Sequence, residues 1–155
     1  MYLYAIEEIG KAGFRQYEIS NFSKEGCESR HNLKYWRCEE YLGIGAAAHS
    51  FVDGKRFYYE RSIDGFISGS APVDDGEGGS EEEFIMLALR LCEGLKYGEF
   101  EKRFSKSIPH ALTAKAKELE KHGLLAVTDG GISLTANGFL VSNSIIGALI
   151  EAVEN

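Results

Sequence analysis

What most limits how this chain can fold is a break in composition from Gly69 to Ser80 (GSAPVDDGEGGS), where apolar residues nearly vanish and glycine, aspartate and glutamate take over. Such a stretch offers little to bury and reads as an exposed linker. It divides the chain into residues 1–70, a linker at 71–80, and residues 81–155. The two flanks have different patterns, so each is read by itself.

The second flank is regular. Ser80-Glu81-Glu82-Glu83 predicts a capping box, with the serine oxygen taking a free N–H while Glu83 reaches back. Phe84, Leu87, Ala88 and Leu91 form the inward face of the helix, and Gly94 supplies its stop. A second helix covers Tyr97 to Phe104, and Pro109 opens a third to Lys121 with Leu112, Ala116 and Leu119 inward. Leu124 to Thr128 and Ile132 to Leu134 predict a two-stranded hairpin around Asp129-Gly130-Gly131, followed by a helix capped by Thr135 or Asn137. Three helices, a hairpin and a helix is the order of a winged-helix domain.

The first flank is mixed. Leu3, Ile6, Ile9 and Ala12 predict a helix that stops at Gly13, feeding a short strand around Tyr17 and Ile19 with a turn at Ser20-Asn21. The polar run from Ser23 to Arg30 reads as loop, His31 to Trp36 as an aromatic turn, and Tyr41 to Phe51 as an apolar strand. Asp53-Gly54 between aromatic and β-branched residues predicts a tight hairpin, and Ser62 to Ser68 a short helix.

Charge and cysteine usage narrow the function. With 17 Lys plus Arg against 24 Asp plus Glu, the net charge of −7 gives no global pull toward nucleic acid or anionic membrane. Lys115, Lys117 and Lys121 on the third helix read as a solvated face, and no nucleic-acid partner is expected. Cys27, Cys38 and Cys92 are odd in number and far apart, which predicts reduced thiols in a cytoplasmic protein. No secretory pattern opens the chain, and no run approaches the roughly 20 apolar residues of a membrane span.

Three segments carry possible chemistry. Arg30 to Trp36 gathers a histidine, a tyrosine and the single tryptophan. Imidazole is a common metal ligand and axial partner of haem iron, although such a histidine also serves as a hydrogen-bonded structural residue. Tyr35 and Trp36 offer flat apolar area, and Arg15, Arg30, Lys34 and Arg37 offer cations for propionates. Gly43 to Ala48 fits the dinucleotide pattern G-x-G-x-x-A, with Asp64 downstream, but lacks a buried strand before it and a helix after it. Its small residues read instead as letting backbone or a flat ligand approach closely. His49 follows as cleft lining, and Ser50 has no nucleophile elbow around it.

The stretches YEISNFSKEG, RHNLKYW and EYLGIGAAAHSF, taken in order, resemble the later part of the radical S-adenosylmethionine (SAM) proteins of the oxygen-independent coproporphyrinogen III oxidase family. The HNxxYW element, His31 to Trp36, resembles the haem-chaperone (HemW-type) branch of that family, and EEFIMLALRLCEGL, HGLL and SLTANGFLVSN resemble its carboxy-terminal domain. The resemblance implies an α+β fold: the end of a radical-SAM βα barrel over 1–70, then a winged-helix-like helical domain with a small hairpin, acting as a lid or docking unit. It implies that His31, Asn32, Tyr35 and Trp36 contact haem, with His31 the iron ligand, and that Gly43, Gly45 and His49 lie near the barrel cleft. Ala47 departs from the family pattern, where glycine is expected, and its methyl should restrict φ. The family's CxxxCxxC motif for a [4Fe–4S] cluster does not occur in these residues. The cluster and SAM are therefore expected only in a longer parent, and this portion is expected to be catalytically inactive alone. Expected partners are haem or a porphyrinogen and the remainder of the barrel. An unpaired sheet edge would give either a homodimer or poor order from Ser23 to Trp36. The alternatives are a parent that oxidatively decarboxylates coproporphyrinogen III, and a DNA- or protein-binding winged helix.

Overall fold

A computed structural model describes residues 1–154 as eight helices and eight short strands in an α+β arrangement. The opening helix α1 (Tyr2–Lys11) ends near Gly13, whose φ of +83° is a conformation that glycine adopts without penalty. A single strand was expected next. Instead, β1 (Arg15–Gln16) and β2 (Phe22–Ser23) form a small antiparallel pair, and Glu18 between them bridges Leu91. Residues 30–36, expected as a turn, form α2 (Arg30–Trp36), because Ser29 caps it by accepting from the Asn32 N–H at 3.3 Å. Ser23 is buried, and Asn32 on α2 donates to Tyr17 Oη.

The strand expected over 41–51 is corrected more sharply. Only β3 (His49–Val52) is extended, and residues 42–48 loop back so that Tyr41 and Phe51 exchange backbone hydrogen bonds of 2.8 and 2.9 Å. Gly43 makes the return possible, since a Cβ there would collide with the His49 carbonyl oxygen. The hairpin at Asp53-Gly54 forms as expected, with φ of +51° and +74° joining β3 to β4 (Lys55–Tyr58). After α3 (Ile63–Ile67) comes a second correction, because the stretch expected as linker holds β5 (Val73–Glu77). It pairs antiparallel with β4 and completes a sheet of order β3-β4-β5, although most of its side chains stay exposed. Backbone pairing needs no apolar side chain, and Gly76 at φ +85° accommodates the irregular register between Lys55 and Phe57.

The remainder follows the predicted order with local differences. Ser80 caps α4 (Glu81–Ala88), then come β6 (Leu95–Lys96), α5 (Tyr97–Phe104), α6 (His110–Glu120), β7 (Leu125–Thr128) and β8 (Gly131–Leu134). The hairpin gains β6 as a third strand in the order β6-β8-β7. Gly94 is required there, since a Cβ on it would strike the Ile132 carbonyl oxygen. The final helix divides at Val141 into α7 (Ala136–Leu140), capped by Thr135, and α8 (Ser142–Glu154). Phe84, Ile85, Leu89, Phe100, Leu112, Ile132 and Leu149 pack together as the centre of the core. No helix among the described residues is long and apolar enough to cross a membrane.

Candidate functional site

Helical spacing places His31 and Tyr35 on one face of α2, four residues apart. His31 Nε2 lies 2.8 Å from Tyr35 Oη, and their rings meet edge to face at 4.7 Å. His31 Nδ1 makes no hydrogen bond among the described residues. Tyr35 in turn packs edge to face on Tyr41 at 4.5 Å and 85°. The other motif residues point elsewhere. Asn32 Nδ2 donates to Tyr17 Oη at 3.3 Å, and Trp36 receives the Arg90 guanidinium over its ring at 5.7 Å. The motif therefore presents one imidazole–phenol pair outward and uses Asn32 and Trp36 to seat the helix.

The cations expected for propionates are partly engaged. Arg15 lies 3.5 Å from Glu25, Lys34 Nζ donates to the Glu40 carbonyl at 3.2 Å, and Arg37 pairs with Glu93 at 3.1 Å. These contacts are exposed and individually weak, so they yield readily to an anionic ligand. Glu93 also bonds Lys96, and although burial alone would raise its pKa, those bonds to Lys96 and Arg37 hold it below the usual carboxylate value.

Gly43, Gly45 and His49 build a second feature. Gly43 N–H donates to the buried Ser50 Oγ at 3.0 Å, and Gly45 sits at φ +118°. Ala47, where the resemblance implies glycine, adopts φ +62°, in the left-handed region that favours glycine. His49 stacks on its cross-strand neighbour Tyr58 at 5.1 Å and places Nδ1 3.8 Å from Asp75 Oδ2 on β5. His49, Tyr58, Tyr59, Glu60 and Arg61 line a cleft of about 580 Å³. His31 does not line it, so the structure separates the two histidines into two features. With β3 following the glycine loop instead of a helix, the dinucleotide pattern has no structural support.

Several residues near these features gave no sequence signal. The sequence marks Tyr41 only as the first residue of a strand, and Asp75 lies in the segment expected as linker. Glu18 is fully buried; its Oε2 accepts from Ser20 N–H at 3.2 Å, and its Oε1 has no hydrogen-bond partner among the described residues. Burial, with Glu18 adding to it, pushes the Cys92 thiol up to about 11.

The cofactor chemistry divides accordingly. Cys27 is exposed, Cys38 buried and Cys92 half-buried, and no group of three or more His, Cys, Asp or Glu side chains among the described residues is placed to hold a metal. These residues do not fit an iron–sulfur cluster. An exposed imidazole with one nitrogen on a phenol and the other without a partner fits an axial ligand of haem iron.

Residues 82–141 match the family profile described as HemN C-terminal domain. A search of solved structures finds the E. coli protein titled "Coproporphyrinogen III oxidase (HemN) from Escherichia coli is a Radical SAM enzyme", with a TM-score of 0.65 and 18% identity over 95% of this chain and 39% of that one. At that identity the likeness shows the fold, an α+β chain of the kind found in HemN. Among curated proteins, Heme chaperone HemW of Bacillus subtilis is 32% identical over 97% of this chain and 42% of its own length. The mouse protein called Radical S-adenosyl methionine domain-containing protein 1, mitochondrial, is 53% identical over 92% of this chain and 37% of its own length. The chain belongs with the HemW/HemN-like proteins and corresponds to their carboxy-terminal part. It spans about two fifths of the length of the curated relatives it matches.

Proposed function

We propose that this chain is the haem-contacting, carboxy-terminal part of a HemW-like radical-SAM haem chaperone. The observation that carries the reading is the His31–Tyr35 pair, an exposed imidazole held by a phenol at one nitrogen and open to iron at the other in the tautomer that carries its proton on Nε2. Similarity to HemW along 97% of the chain supports it. His31 would be the ligand, Tyr35 its orienting partner, and Asn32 and Trp36 the residues that seat α2. Haem would supply the bound iron centre.

In this reading residues 1–70 are the end of a βα barrel, 71–80 a connection, and 81–155 a winged-helix-like lid or docking domain. Leu42, Ile44, Ile63 and Ile67 are 65%, 83%, 70% and 77% exposed and would face the rest of that barrel. The [4Fe–4S] cluster and SAM belong to the longer parent, and the reduced thiols fit a cytoplasmic setting. Self-pairing through β5 is disfavoured, because Asp74, Asp75 and Glu77 would bring like charges together along that edge. The cleft beside His49 is a further contact surface for the parent's ligand.

Titration with haem tests the ligand. His31→Ala should abolish or markedly weaken the Soret change; an unchanged spectrum and affinity would remove His31 from the site. The match to the HemN C-terminal domain favours a second reading, oxidative decarboxylation of coproporphyrinogen III by the parent. Product analysis with the full-length protein separates the two, since a chaperone binds haem without consuming coproporphyrinogen III.

A further inference from the structure

Four side chains connect His31 to the start of α4 without a gap. Tyr35 Oη holds His31 Nε2 at 2.8 Å, and the Tyr35 ring rests on the Tyr41 ring at 4.5 Å. Arg56 Nη1 donates to Tyr41 Oη at 3.3 Å, and its Nη2 donates to Glu83 Oε1 at 2.5 Å. Glu83 Oε2 accepts from the Gly79 N–H at 2.6 Å, while its own N–H donates to the capping Ser80 Oγ at 3.1 Å. The capping box expected from the sequence is thus rearranged, and the carboxylate that would have closed it is turned toward Arg56. The Arg56 and Glu83 side chains are 22% and 21% exposed, which makes this pair the least exposed among the described ion pairs.

We propose that Tyr41 is the positioning residue of the His31 imidazole, acting through Tyr35, and that the Arg56–Glu83 pair fastens Tyr41 to α4. The proposal rests on the reading of His31 as the haem ligand. Its physical basis is the exposure of His31: a histidine on the surface of a seven-residue helix rotates freely unless its partner is fixed. Tyr35 is fixed only where its ring is packed, and Tyr41 packs it. When Nε2–H donates to the phenol oxygen, Nδ1 keeps its lone pair for a metal. Removing the Tyr41 ring frees Tyr35, and the imidazole then samples both tautomers. Seating of α4 thereby governs how well the imidazole is presented.

The test uses the whole chain with Tyr41→Leu, Tyr41→Phe and Glu83→Gln, read in two ways. The ¹⁵N shifts of the two His31 ring nitrogens report the tautomer balance without haem, and Soret titration reports haem affinity. Tyr41→Leu should move the ring shifts toward each other and weaken haem about 10–100-fold, the range for losing an outer partner of a metal-ligating histidine. Tyr41→Phe keeps the ring and loses only the Arg56 bond, so it and Glu83→Gln should fall between wild type and Tyr41→Leu. If Tyr41→Leu does not fold, those two milder variants carry the test. Unchanged ring shifts and affinity in folded variants would overturn the proposal. Shifted ring signals with haem affinity indifferent to His31→Ala would uphold the positioning and overturn the ligand assignment alone.

Discussion

Residues 81–154 and residues 1–80 are built on opposite plans. Among the described residues the later region supplies sixteen of the buried apolar residues, among them Phe84, Leu89, Phe100, Leu112 and Leu149, whereas the earlier region supplies only Cys38 and Phe51. The exposed large apolar residues are distributed the other way, with Leu3, Tyr4, Phe14, Leu42, Ile44, Ile63 and Ile67 before Ser80 and only Leu140 and Val141 after it. Buried polar groups follow the same division, since Glu18, Ser23 and Ser50 lie in the first region and Ser142 alone in the second. The helical region satisfies its own hydrophobic needs. The earlier region leaves apolar area uncovered, as the proposed contact with the rest of a barrel requires.

The largest test of this contrast compares core with rim. Phe100→Ala, at a fully buried position, should cost about 3–5 kcal/mol, while Ile63→Ala should stay within about 0.5 kcal/mol. Urea unfolding of both variants measures it, and similar losses would break the comparison. Next in size is the tie between the regions. Glu83→Gln removes the charge from a largely covered pair that also holds Gly79, and should cost about 1–3 kcal/mol in the same unfolding experiment.

Ala47→Gly relieves a left-handed backbone at the price of a more flexible unfolded chain, so it should stabilise by no more than about 1 kcal/mol. A lowered melting temperature would show that the loop is not strained. The smallest effect concerns pH. Glu93 has a folded pKa below its ordinary value, so its contribution is present above that value and is lost as pH falls through the lowered one. Its side chain is 33% exposed, which screens the effect to under about 1 kcal/mol. Glu93→Gln should flatten the acid side of the stability curve slightly, measured by unfolding from about pH 5 downward.

The same division decides what could be read from the chain directly. In the helical region most local signals agree with tertiary ones: Ser80 caps, Phe84 and Ala88 face inward, and Pro109 and Gly123 mark the ends of α6, although α4 stops at Ala88 and leaves Leu91 beyond it, bridged to Glu18. What was missed there, β6, is two residues long and exists only because Leu95 meets Ile132 across the sheet. In the first region the outcome depends on long-range pairing. Composition alone describes 69–80 as linker, yet Val73–Glu77 is held by backbone bonds to β4 that no side-chain pattern announces. The run from Tyr41 to Phe51 is apolar and β-prone, yet residues 42–48 form a loop before β3, because Gly43 admits the His49 carbonyl. The HNxxYW element was legible as a unit from its residue types, but its division into an outward pair and two seating residues is tertiary. The sequence marks Tyr41 only as the start of a strand and Glu83 only as the closing residue of a capping box, Arg56 carries no motif, and only their convergence reveals the connection.

Hydrogen–deuterium exchange of the chain with and without haem tests the central claim most directly. Haem should slow exchange over α2 and the adjoining Tyr41, residues 30–41, and leave α6 and the β7–β8 hairpin unchanged. Protection gained at residues 110–134, with none over 30–41, would contradict it.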